Sequence, residues 1–138
     1  MKLAIVDDNK LEQELIFNTL RTYEHERNIS LDISSYSDGN SFLNTYVPGD
    51  FDLIFMDIYL NELNGIDIVR KIRQMDSKVM IVFLTTSKEY IFEAAPFHFF
   101  DYILKPFVST QIFHVLDDAL ALLPEQEAEL SFEYRSFD

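Results

Sequence analysis

The chain has no cysteine and only three glycines, Gly39, Gly49 and Gly65. The first absence excludes a disulfide framework, a thiolate metal site and a cysteine nucleophile. The second leaves no glycine-rich loop of the kind that cradles a nucleotide phosphate. No stretch approaches the roughly 18 consecutive apolar residues of a membrane span. The four apolar residues between Lys2 and Asp7 are too few for a signal-peptide core. Positive charge is scarce too: 11 Lys and Arg face 24 Asp and Glu, a net charge of −13. So acidic a surface repels nucleic acid, and DNA binding is not expected of these residues. The one basic grouping, Arg70, Lys71 and Arg73 with Lys78 beyond, reads as the cationic end of a helix. The expectation is a soluble, cytoplasmic protein with no membrane partner.

What remains is a chain of 138 residues, 48% apolar, enough for one domain with a substantial core. Strand-like and helix-like periods alternate along it. Leu3–Val6, Leu53–Met56, Met80–Leu84 and Tyr102–Leu104 read as buried strands, and Leu31–Tyr36 as a half-exposed edge strand. Leu11, Leu15, Thr19, Leu20 and Tyr23 are assigned to one face of a first helix, with Asn9 and Glu12 spaced as a capping box. Phe42, Leu43, Tyr46 and Val47 suggest a second helix stopped by Pro48-Gly49. Ile66, Val69, Ile72 and Met75 suggest a third helix behind Asn64-Gly65. Tyr90, Ile91, Ala94 and Ala95 suggest a fourth, starting near Ser87. Ile112, Leu116, Ala119 and Leu123 suggest a fifth, ending before Pro124. Crossovers of this length predict an α/β fold: a doubly wound, five-stranded parallel sheet with five helices.

Polar residues follow the strands in a telling order. Asp7-Asp8 ends the first, Asp57 the third, Thr85 the fourth and Lys105-Pro106 the fifth. Ligands of an open parallel sheet bind outside the carboxyl ends of its strands. One pocket would then gather three carboxylates, a hydroxyl and an ammonium. A single aspartate after a strand is usually a helix cap. Three at equivalent strand ends repel one another unless a cation neutralises them, and an oxygen-only set suits Mg²⁺ beside phosphoryl oxygens. Lys105 in such a pocket would pair with a carboxylate or a phosphoryl group. The Thr85 hydroxyl, otherwise an ordinary strand residue, could bond a phosphoryl oxygen. Pro106 permits a cis bond after the lysine.

In this order, Ile5-Val6-Asp7-Asp8, Phe55-Met56-Asp57-Ile58, Asn64-Gly65, Leu84-Thr85-Thr86 and Asp101-Tyr102-Ile103-Leu104-Lys105-Pro106-Phe107 resemble the receiver domain of two-component response regulators. The likeness covers residues 1–123. It implies that Asp57 accepts a phosphoryl group from a sensor histidine kinase. It also implies that Asp7, Asp8, Asp57 and the main-chain carbonyl of Tyr59 hold Mg²⁺ (or Mn²⁺). Lys105 would pair with Asp57 and then with the phosphoryl group. Thr85 would move to bond it, and Tyr102 would turn inward as the switch residue. The domain would catalyse only its own phosphorylation and dephosphorylation, and would not be an enzyme acting on other substrates. Asn61 departs from the family's usual proline, and Tyr59 and Ser87 stand where the family tunes phosphoryl lifetime.

Phe100–Phe107, with Thr86–Tyr90, is similar to receivers of LytTR-type DNA-binding transcription regulators. Residues 124–138 then read as a linker and the start of a truncated C-terminal domain, with Leu130, Phe132 and Tyr134 alternating. The aromatic run Phe97–Tyr102 suggests a partly exposed patch, hence a homodimer through the face of helix 4, strand 5 and helix 5. Two alternatives stand beside this reading. One is an interaction module that no longer takes phosphate. The other is a haloacid-dehalogenase-like Mg²⁺ phosphatase with Asp7 as nucleophile. A flavodoxin-like carrier is disfavoured, because the aspartates would repel a flavin phosphate. His25, His98 and His114 show no metal-ligand spacing.

Overall fold

The computed structural model describes residues 1–61 and 63–123. Five strands, β1 (Lys2–Val6), β2 (Asp32–Tyr36), β3 (Leu53–Met56), β4 (Met80–Thr85) and β5 (Asp101–Leu104), form one sheet in the order β2-β1-β3-β4-β5. All four pairings are parallel. The helices are α1 (Lys10–Arg27), α2 (Gly39–Thr45), α3 (Gly65–Arg73), α4 (Ile91–Ala94) and α5 (Ser109–Leu122). A single 3₁₀ turn, Ala95–Phe97, joins α4 to the approach of β5. This is the doubly wound α/β sheet that the alternating periods predict. The interval 124–138, expected to hold a linker and a further strand, lies outside the described residues.

Successive strand residues point to opposite faces, and each face has its own core. Leu3, Ile5, Leu53, Phe55, Val82 and Leu84 pack under α1 and α5, against Ile16, Leu20, Ile112 and Leu116. Ala4, Val6, Ile54, Met56, Ile81 and Phe83 pack under α2, α3 and α4, against Phe42, Ile68, Val69, Ile72 and Ala94. Continuous burial of β1, β3 and β4 explains their unbroken apolar runs. Strand β2 is an edge and stays half exposed, as its alternation predicts.

Several helix faces differ from expectation. The inward face of α1 is Gln13, Ile16, Leu20 and Tyr23, while Leu11 and Leu15 are 73% and 56% exposed. At about 100° per residue, Leu11 and Leu15 lie roughly 180° and 140° around the helix from Leu20. Their solvent-facing position follows from that geometry. Helix α2 ends at Thr45, leaving Tyr46 as its cap and Val47 exposed. The chain turns after Pro48 at Gly49, whose φ of +93° suits only glycine. Helix α3 stops at Arg73, so Met75 lies beyond it and faces outward. Helix α4 is a single turn starting at Ile91, not Ser87, with Tyr90 preceding it and Ala95 exposed.

The aromatic run is no open patch. Phe97, Phe99 and Tyr102 pack against one core and Phe100 against the other, each half-buried. The exposed aromatic of this region is Phe92 on α4, at 91%.

Candidate phosphoryl site at the carboxyl edge of the sheet

Strand order reverses between β1 and β3, where neighbouring crossovers leave in opposite directions and open a crevice. The ladder continues one residue past the strands there. Asp7 N–H donates to the Tyr36 carbonyl and Asp57 N–H to the Val6 carbonyl, each at 3.0 Å. Both side chains are thereby fixed in the crevice. On the other side, Lys105 N–H donates to the Thr85 carbonyl at 2.7 Å, across the ends of β4 and β5.

Asp7, Asp8 and Asp57 each offer a carboxylate oxygen, and the three lie within 4.8 Å of one another. Asp7 is 1% exposed and both its oxygens are engaged. One accepts from the Asn9 amide at 2.9 Å and the other from the Lys105 ammonium at 2.8 Å. Lys105 stands 3.6 Å from the nearer Asp57 oxygen, so its tighter partner is Asp7. The expected approach of Lys105 to Asp57 is present as the longer of two ion pairs, and the shorter one, to Asp7, was not anticipated. The other Asp57 oxygen receives only a long bond, 3.3 Å, from the Tyr59 amide.

Burial raises the Asp57 carboxyl to about 6; Lys105 counters this, and the Asp7 and Asp8 charges add to it. For Lys105, burial opposes the charge, but the Asp7 hydrogen bond and the nearby carboxylates outweigh it and hold the ammonium above its ordinary value. Three carboxylates against one ammonium leave the crevice short of positive charge. The donor set is all oxygen, which fits a hard divalent cation such as Mg²⁺.

The Thr85 hydroxyl is buried and has no hydrogen-bond partner among the described residues. An orphaned buried hydroxyl costs stability, so this one calls for an explanation. Beyond it, Tyr102 lies half-buried between Phe83 and Phe99, and its hydroxyl donates to the Ser87 carbonyl at 2.5 Å. The Lys105–Pro106 bond is cis.

The loop after Asp57 is closed by a Tyr59–Asn64 bridge and by the Gly65 amide, which donates to the Ile58 carbonyl at 2.8 Å. A side chain at Gly65 would run into the Asp57 carbonyl oxygen, so the Asn64-Gly65 pair is dictated by close backbone approach. Asn64 caps α3 by accepting from the Ile66 amide. Asn9 likewise caps α1, accepting from the Glu12 amide, but the expected capping box is only half formed, because the Asn9 amide donates to Asp7 rather than to the Glu12 side chain.

Sequence reading missed Gln13. Its buried side chain donates to the main-chain carbonyl of Asp7 and braces the acidic pair from beneath. A polar residue seven positions before Leu20, on the buried face of α1, was the available signal.

The response regulator receiver domain family matches residues 3–117. This chain belongs to that family. Protein MrkE of Klebsiella pneumoniae is 34% identical over 116 residues, 84% of this receiver and 42% of MrkE. The transcriptional regulatory protein YpdB of Escherichia coli K12 is 31% identical over 127 residues, 92% of this receiver and 50% of YpdB. The sensory transduction protein LytR of Staphylococcus saprophyticus is 29% identical over 141 residues, 100% of this receiver and 54% of LytR. The LytTR-type likeness read from residues 86–107 agrees with relatives of this kind. The receiver spans about half the length of the curated relatives it matches, 42% to 54% in these three.

Among solved structures, the response regulatory domain of MrkE superposes with a TM-score of 0.74 at 33% identity, over 88% of this receiver and 96% of that chain. The receiver domain of a Pseudomonas aeruginosa sensor histidine kinase, described with magnesium in its active-site cleft, shares the fold at 0.74 and 23% identity, over 87% and 97% of the two chains.

Proposed function

We propose that Asp57 is the phosphoacceptor of this receiver and that a sensor histidine kinase is the donor. An Asp57 oxygen attacks the phosphorus of a phosphohistidine. The O–P bond forms as the N–P bond breaks, and the electron pair returns to the imidazole nitrogen. Positioning and charge neutralisation supply most of the catalysis in such an in-line transfer.

The observation that carries this reading is the buried, unpartnered Thr85 hydroxyl beside the acidic crevice. A phosphoryl oxygen on Asp57 gives that hydroxyl an acceptor. Lys105, already 3.6 Å from Asp57, takes up a second phosphoryl oxygen. Asp7, Asp8, Asp57 and the main-chain carbonyl of Tyr59 would hold Mg²⁺ (or Mn²⁺), whose charge offsets that of the phosphoryl oxygens. Asp57 is favoured over Asp7 as nucleophile because both Asp7 oxygens are already bonded. Later attack by water at phosphorus, in the same site, returns Asp57 to its free form.

The consequence is a population shift centred on Thr85 and Tyr102. We propose that it acts on an output domain of LytTR type, transcriptional and DNA-binding, supplied by chain beyond this receiver in a cytoplasmic protein. Relatives about twice as long support that reading. A homodimer through α4, β5 and α5 is part of the proposal, supported by Phe92 at 91% exposure on that face. The test is transfer from a phosphorylated histidine kinase in Mg²⁺. Label should move to this chain and be absent from Asp57→Asn. Transfer that persists in Asp57→Asn would overturn the assignment.

A further inference from the structure

Arg73, the last residue of α3, is not the solvated helix-end cation that the sequence suggests. Arg70 fits that description, pairing at the surface with Asp67 at 2.7 Å. Arg73 is half-buried, and its donors go to main-chain carbonyls. Nε donates to Phe97 at 2.8 Å, one terminal nitrogen to His98 at 2.9 Å, and the other to Asp76 at 3.3 Å. Phe97 and His98 form the joint between the 3₁₀ turn and β5, where His98 adopts a left-handed conformation at φ 58°. A non-glycine residue holds that conformation at a cost, so it persists where its surroundings fix it.

The residues after the joint lead directly to Tyr102. Phe99 packs on Tyr102 with ring centroids 5.7 Å apart, and both rings lie against Phe83. The Phe100 amide donates to the Ile81 carbonyl at 2.6 Å, which opens the pairing of β5 with β4. At its other end, α3 starts at Asn64-Gly65, pressed on the Asp57 carbonyl. One rigid helix therefore touches the phosphoacceptor loop at its first turn and the β5 joint at its last residue.

We propose that Arg73 is a positioning residue for Tyr102. Its planar fork fixes two successive carbonyls at the β5 joint, sets Phe99 against Tyr102, and favours the arrangement in which the Tyr102 hydroxyl reaches Ser87. This rests on reading Tyr102 as the switch residue. Lysine keeps the charge but cannot hold both carbonyls in the same geometry.

The test compares Arg73→Lys with the unaltered 138-residue chain, using site-resolved amide exchange and NMR with and without Mg²⁺ and beryllium fluoride as the phosphoryl mimic. Exchange at residues 98–103 should rise about tenfold while β1 and β3 stay within about twofold. Mimic binding at Asp57 should persist, and the Tyr102 and Ser87 signals should shift less on its addition. Unchanged exchange and unchanged Tyr102 shifts would overturn the proposal. So would a uniform rise across the whole sheet, which marks a purely structural arginine. If the mimic fails to bind the unaltered chain, the phosphoacceptor assignment fails instead, and the exchange comparison still decides the role of Arg73.

Discussion

The Tyr102 hydroxyl is bonded to the main-chain carbonyl of Ser87, so β5 is tied to the loop that follows β4 immediately beyond Thr85. Tyr102→Phe removes that bond and leaves the ring packed on Phe83 and Phe99. Stability should fall by about 1 kcal/mol in urea unfolding. Phosphoryl uptake at Asp57 should persist, since the hydroxyl removed bonds to the Ser87 carbonyl and not to Asp7, Asp8 or Asp57, while amide signals around Ser87 should broaden.

Thr85→Val gives a prediction of opposite sign. The hydroxyl it removes is buried and unpaired, so the metal-free protein should gain about 1 kcal/mol of stability. The same variant should lose the response of Tyr102 to a phosphoryl mimic. Urea unfolding and tyrosine-resolved NMR read the two effects separately. A destabilised variant would mean that Thr85 already has a partner.

Gly65→Ala tests the close approach after Asp57. The added methyl meets the Asp57 carbonyl and pushes α3 from the loop, at a cost of about 2 kcal/mol in unfolding measurements. Phosphoryl uptake should slow, because that loop carries Asp57 and Tyr59.

Asp76 supplies one pH dependence, read by comparison with its variant. Burial pushes its carboxyl up, but bonds from the Tyr46 hydroxyl at 2.6 Å and the Lys78 and Val79 amides outweigh burial and hold it below its ordinary value. A depressed carboxylate contributes stability above its unfolded value and loses it as pH falls through the folded one. Asp76→Asn should therefore be less stable by about 2 kcal/mol near pH 7. The gap should start to narrow below about pH 4 and close as pH falls further, through the depressed folded value. Unfolding curves at several pH values check both.

How much of this was legible in the sequence depended on whether a signal was local. Strand ends were readable because continuous apolar runs broke abruptly at Asp7, Asp57, Thr85 and Lys105, and the sheet gathers those ends. Helix faces were less readable: leucine drew Leu11 and Leu15 into the core although their angles oppose Leu20. Helix α4 was overextended because Ser87–Tyr90 looks helical in isolation, while the observed bond from Tyr102 joins β5 to Ser87. Pairing within the site is a distance problem, so the nearer approach of Lys105 to Asp7 left no trace in spacing. Arg73 read as a surface charge because two of its three partners, those at the β5 joint, lie 24 and 25 residues away.

The most direct test is intact mass after incubation with a small acyl phosphate, with and without Mg²⁺, for the native chain and Asp57→Asn. The account predicts one added phosphoryl group in the native chain with Mg²⁺, and none without the metal or in the variant. A phosphoryl group that persists in Asp57→Asn, or a native chain that binds Mg²⁺ yet takes none from either the acyl phosphate or a phosphorylated kinase, would contradict it.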